Sequence, residues 1–98
     1  MTEAKYVIYN TRKEYFFSAL NTSIIWTKIH MCPFWNSLSE LTERVQEFVD
    51  NPDHFGFDLS FIPECIAVPI YFEEEHRKED NTSIDFRYSV PLKEVLEL

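Results

Sequence analysis

Apolar residues occur along this chain in short runs separated by polar turns, with one stretch at helical spacing. Lys5 to Tyr9 is dominated by aromatic and β-branched residues, and Asn10-Thr11-Arg12-Lys13 follows as a polar turn. Tyr15-Phe16-Phe17 resumes the strand character, Asn21-Thr22-Ser23 marks a second turn, and Ser23 to Ile29 reads as a third strand. Short apolar runs broken by Asn-containing turns predict an antiparallel meander. Gly56 is the sole glycine, so asparagine is the expected source of left-handed turn residues.

The helical stretch follows. Ser37 and Glu40 form the S-x-x-E capping pattern, and Leu38, Leu41, Val45, Phe48 and Val49 then recur at helical spacing. Glu40, Glu43, Arg44 and Glu47 fall on the other face, and Asp50-Asn51-Pro52 ends the helix, because a proline disfavours helix at the residue before it. Residues 51–64 have no clean period. They carry Phe55, Phe57, Leu59, Phe61 and Ile62, a connection expected either to cap one end of the core in a short helical turn or to serve function.

Cys65 to Phe72 predicts a fourth strand, with Pro69 pointing to an edge or a bulge. Glu73 to Asn81 is a charged loop. In Ser83 to Val90, Ile84, Phe86, Tyr88 and Val90 alternate with Asp85, Arg87 and Ser89, the pattern of a half-buried fifth strand. Pro91 to Leu98 suits a short terminal helix with Leu92, Val95 and Leu96 on one side. The expected fold is α+β: one domain over residues 1–98, with an antiparallel sheet of about five strands and one main helix packed across it.

Composition agrees with a folded chain. Of 98 residues, 45% are hydrophobic and 16% aromatic, which excludes the low-hydrophobicity signature of disorder. Charge adds an asymmetry. Residues 1–37 hold four bases and two acids (+2), residues 38–80 three bases and twelve acids (−9), and residues 81–98 two bases and three acids (−1), summing to −8. An acidic middle repels phosphates and attracts basic partners, so direct nucleic-acid binding is not expected. No leader or membrane-length apolar run is visible, so a cytoplasmic chain with reduced Cys32 and Cys65, buried as small apolar side chains, is the expectation.

Chemistry finds little footing. His30 and Cys32 make one tight pair, but Cys65, His54 and His76 are scattered, whereas structural zinc needs paired ligands, so neither metal nor cofactor is expected. One glycine excludes a phosphate loop or dinucleotide fingerprint, and neither cysteine sits in a nucleophile motif. A binding protein without catalysis is the reading that remains. Its candidate contact residues are Glu40, Glu43, Glu47 and Asp50 on the helix, and Glu73, Glu74, Glu75, Glu79 and Asp80 in the charged loop. Phe55, Phe57 and Phe61 are the alternative contact. A nucleic-acid-associated regulator and a small enzyme are the competing classes.

The order Tyr6-Val7-Ile8-Tyr9, a turn, Tyr15-Phe16-Phe17, then Ile25-Trp26-Thr27, Phe34-Trp35-Asn36-Ser37 and an acidic helix through Val49 resembles small accessory proteins of tailed bacteriophages. The resemblance covers the first half of the chain. It implies an early-infection protein that binds and redirects or inhibits a host protein, defence nucleases and toxins included, and it implies no catalytic residues.

Overall fold

The computed structural model describes residues 4–20, 23–56, 58–72 and 82–96. The architecture is α+β. Strands β1 (Lys5–Asn10), β2 (Tyr15–Leu20), β3 (Ser23–Thr27) and β4 (Cys65–Tyr71) are joined by two very short ones, β5 (Ser83–Ile84) and β6 (Val90–Pro91). All pairings are antiparallel, in the order β3-β2-β1-β4-β5, with β6 also on β4. The main helix α1 (Leu38–Asp50) is followed by a single turn α2 (Pro52–Phe55), a 3-10 helix (Leu59–Glu64) and, after β6, the short α3 (Leu92–Val95). Residues 51–64 thus hold two short helical segments.

The β1–β2 turn is built by a side chain. Asn10 is fully buried, its Oδ1 accepts the backbone N–H of Arg12 and of Lys13, both at 2.9 Å, and its Nδ2 donates to Glu64 Oε2 at 3.3 Å. These bonds give the turn its shape without a left-handed asparagine. Among the described residues the non-glycine one at positive φ is Glu14, at 61°, whose N–H donates to the Asn10 carbonyl at 2.8 Å; Asn21, of the second turn, lies outside them. Asparagine therefore acts here through its amide, and a glutamate takes the left-handed position.

Both faces of the sheet are covered. On the helix side Ile8, Phe17, Cys65 and Ala67 pack with Leu41, Val45 and Phe48 of α1, and with Phe61 and Leu92. On the other side Val7, Phe16, Val68 and Ile70 are closed over by Ile29, Cys32 and Phe72. This second layer corrects the third strand: β3 stops at Thr27, and the next residues turn under the sheet, so Ile29 is buried as part of a lid. The two cysteines are buried free thiols in different layers, not a neighbouring pair.

Helix α1 starts and stops as its sequence predicts. Ser37 Oγ accepts the Glu40 N–H at 3.1 Å, and the Asn51 N–H and Nδ2 both reach the Glu47 carbonyl, at 3.0 and 3.2 Å. The reciprocal half of the capping box is displaced by one residue: Glu40 Oε2 accepts the N–H of Asn36 at 2.9 Å, where the usual donor is the cap residue itself.

Pro69 is not on an edge. β4 lies between β1 and the β5/β6 pair, and Pro69 is fully buried. Its missing N–H is accommodated in the neighbouring strand. Ile70 faces Ile84 but Ala67 faces Val90, so two residues of β4 (Val68 and Pro69) oppose five from Asp85 to Ser89. The three extra residues leave the ladder as a 3-10 turn, Phe86–Tyr88, closed where Asp85 accepts from the Arg87 backbone at 3.2 Å and from its guanidinium in two bonds of 2.9 Å. The continuous strand expected over Ser83–Val90 is therefore two short strands around an excursion. Phe86 and Tyr88 stand 48% and 62% exposed instead of lining a core. A continuous strand would have placed an acceptor against a residue with no donor.

Candidate functional site: a fork in the sheet

β1 has two different neighbours along one side. Near its end, Tyr9 and Asn10 pair with Phe16 and Tyr15 of β2. Near its start, Tyr6 pairs with Trp35, from the segment leading into α1, through reciprocal bonds of 2.8 and 2.9 Å. β2 therefore diverges from β1 after Phe16, staying with β3 through Leu20. The sheet forks.

A cleft of about 410 Å³ opens at this fork. Phe17 and Ala19 of β2 form one wall, Pro33, Phe34 and Trp35 the opposite wall, and Arg44, Phe48 and Phe55 line it from the helices. Phe48 and Phe55 meet edge to face at 4.9 Å, and the Arg44 guanidinium lies 5.6 Å and 5.4 Å from their ring centroids. Rigid rings around one cation make an apolar, aromatic floor suited to an aliphatic or aromatic anchor.

Two acids of α1 adjoin this cleft, Glu47 through Arg44 and Glu40 through the N–H of Asn36, next to Trp35. Glu47 Oε2 accepts from Arg44 Nη1 at 2.9 Å, which balances the one base at the floor. Glu40, Glu43, Glu47 and Asp50 are all exposed, and Asp50 also accepts from Gln46 at 3.0 Å. Of the aromatic candidates, Phe55 is half-buried in the cleft, whereas Phe61 is buried in the core, stacked on Phe17 at 5.3 Å. Phe57 and the loop acids Glu73, Glu74, Glu75, Glu79 and Asp80 lie outside the described residues. The structure thus brings Glu40, Glu47 and Phe55 to one cleft, while Glu43 and Asp50 are exposed on the same helix. Ala19, Trp35 and Arg44 are the members that sequence patterns did not single out. Only Arg44 left a trace, as the one base interrupting the acidic face.

A second hollow, of about 320 Å³, lies at the far end of the β1–β2 hairpin between Trp26, Asp58 and Glu64. Glu64 is already engaged there, accepting from Asn10 and, at 3.3 Å, from Arg12. Asp58 is held below the usual carboxylate range by the Ser60 backbone N–H.

The thiols offer no nucleophile at these sites. Burial, with Glu64 adding to it, pushes the Cys65 thiol up to about 12, so it stays protonated near neutrality. Cys32 Sγ donates to the Ile29 carbonyl at 3.3 Å beneath the sheet. Among the described residues no three His, Cys, Asp or Glu groups gather closely enough to share a metal ion, and no helix is long and apolar enough to cross a membrane.

Comparison with protein-family models, with curated proteins and with solved structures returns no match.

Proposed function

We propose that the protein works by stoichiometric binding of another protein, docking a basic surface of that partner on α1 and the adjoining cleft, with no catalysis of its own. The observation that carries this reading is an aromatic cleft floored by Arg44, Phe48 and Phe55, with exposed Glu47 paired to Arg44 and exposed Glu40 bonded to Asn36 beside Trp35. Interfaces of this kind combine an apolar anchor pocket with a polar rim, and the rim charges steer encounter and select the partner. The net charge of −8 acts in the same direction. The resemblance of the first half to phage accessory proteins makes a bacterial host protein the expected target, a defence nuclease or toxin among them, met in the host cytoplasm.

Affinity capture from a bacterial lysate tests this with the wild-type chain and the triple variant Glu40→Gln, Glu43→Gln, Glu47→Gln. The expected result is one stoichiometric partner, whose retention drops with added salt and drops again with the triple variant. Retention of DNA or RNA in place of a protein favours the nucleic-acid class. A partner held equally well by the triple variant removes α1 from the interface.

A further inference from the structure

The fork leaves main-chain groups, as well as rings, facing the cleft. Tyr6 gives both of its backbone bonds to Trp35, so the even residues of β1 turn their amides away from β4 and toward β2. Asn10 is therefore the residue whose amides face Tyr15 across the β1–β2 pair. Alternation along β2 then points the N–H and C=O of Tyr15, Phe17 and Ala19 to the same side. By Ala19 the strand has left β1, and the place opposite it, beside Tyr6, is taken by Trp35. Ala19 is exposed, lines the cleft, and has no hydrogen-bond partner on that side among the described residues. Its methyl group leaves the approach open.

We infer that the cleft receives an extended, basic segment of the partner polypeptide, which adds as a strand along the inner edge of β2 and exchanges main-chain hydrogen bonds with Ala19. This rests on the protein-binding reading above and specifies the form of what is bound. A strand edge supplies main-chain pairing, and pockets beneath it select alternate side chains. Here the pocket is the Trp35, Phe48 and Phe55 cluster, which takes an aliphatic anchor, and the flanking charges are Glu47, paired to Arg44, and Glu40, bonded to Asn36, which take Arg or Lys. A second copy of this chain fits poorly, since two molecules at −8 repel and each would bring acids to an acidic rim. The same complementarity argues against a phosphate backbone.

The probe is the capped hexapeptide Arg-Thr-Val-Thr-Arg-Thr, whose Arg and Val side chains share the strand face turned to α1, titrated into labelled protein with amide NMR as the readout. Two control peptides carry the argument: the same sequence with alternate backbone nitrogens methylated on the bonding edge, and Glu-Thr-Val-Thr-Glu-Thr. Strand addition predicts saturable binding, slowed exchange of the Ala19 amide, and about tenfold weaker binding of the methylated peptide. If the methylated peptide binds as well as the parent, strand addition is wrong, while the protein-binding reading stands. If the acidic peptide binds as tightly as the basic one, the preference for a basic partner falls, and the proposed function with it. Binding that shifts amides around Trp26 and Asp58 but not Ala19 also overturns the inference, as does no saturation at millimolar peptide.

Discussion

Tyr6 and Trp35 donate to each other's carbonyls across 2.8 and 2.9 Å, an isolated two-residue bridge joining the start of β1 to the segment that enters α1. Where a longer ladder would have carried β2 alongside the whole of β1, this bridge holds the space open. Trp35 also packs against the helix-side core, so its ring anchors the wall that its backbone builds. The cleft is thus fixed by one long-range backbone pairing and one aromatic side chain.

Amide exchange should separate the two sides of this fork. The Tyr6 and Trp35 amides, both donating within the bridge, are expected to exchange slowly, and the Ala19 amide, facing the cleft, close to the rate of an unstructured chain. Protection of Ala19 comparable to that of Phe16, on the paired part of β2, would mean that β2 is not open at the fork.

The left-handed turn gives a second expectation. An L-residue at φ 61° carries a steric cost of about 1–2 kcal/mol, which glycine escapes while losing more entropy on folding. Glu14→Gly should therefore raise stability by about 0.5–1 kcal/mol, seen as a higher denaturant midpoint at unchanged slope. Glu14→Val at the same site should lower it.

The capped helix, the three-strand meander and the α+β class are legible in the residues because their signals are local. Ser37 and Glu40 are three apart, and the apolar face of α1 repeats within itself. The failures all have distant causes. Ile84, Phe86, Tyr88 and Val90 alternate as a strand should, yet Pro69, far back in the chain, denies the ladder a donor and forces three residues out of register. Ile29 continues a strand-like run but is drawn beneath the sheet by Val7 and Ile70. At the site, Glu40, Glu47 and Phe55 are visible as residue types, whereas the cleft they adjoin depends on Tyr6 meeting Trp35, which no periodicity encodes.

Removing the helix cap should have a modest, measurable effect. Ser37→Ala loses the acceptor for the Glu40 N–H and should cost about 1 kcal/mol, within the range of about 0.5–2 for such caps. Ser37→Asp, which keeps an acceptor, should restore most of it. An unmoved denaturant midpoint in Ser37→Ala would show that the hydroxyl contributes nothing to α1.

Cys65 ties stability to alkaline pH. An unfolded cysteine loses its proton at about 8.5, whereas burial and Glu64 push the folded thiol up to about 12. Between those values the folded state holds the extra proton, so this contribution is complete below the lower value and is lost as pH rises toward the upper one. The slope expected from one such thiol is about 1.4 kcal/mol per pH unit. Tyr9, raised by burial and by Glu14, acts in the same direction, so the measurement compares slopes for wild type and Cys65→Ala. The variant should be flatter from about pH 9 to about pH 11. Equal slopes would mean that the thiol ionises freely in the folded chain, and it would then also react with thiol reagents without unfolding.

The acidic surface makes the prediction that bears most directly on function. Residues 38–80 carry −9 against +2 for residues 1–37, and four of those acids lie exposed along α1. If these acids steer a basic partner, the triple variant Glu40→Gln, Glu43→Gln, Glu47→Gln or the loop variant Glu73→Gln, Glu74→Gln, Glu75→Gln should slow association with the captured protein, in at least one of the two sets. The slowing should shrink as salt rises, because exposed charges are screened beyond about 8–10 Å at physiological ionic strength. Stability should barely change in the helix variant. Glutamine keeps an oxygen for the Asn36 N–H, and the Arg44–Glu47 pair that it weakens is about half exposed on both sides, a class worth about 0–1 kcal/mol. On-rates at two salt concentrations decide between steering and solubilisation. Wild-type rates in both triple variants would leave the acids as a solubilising coat, and recognition would then rest on the aromatic cleft at Phe48 and Phe55 alone.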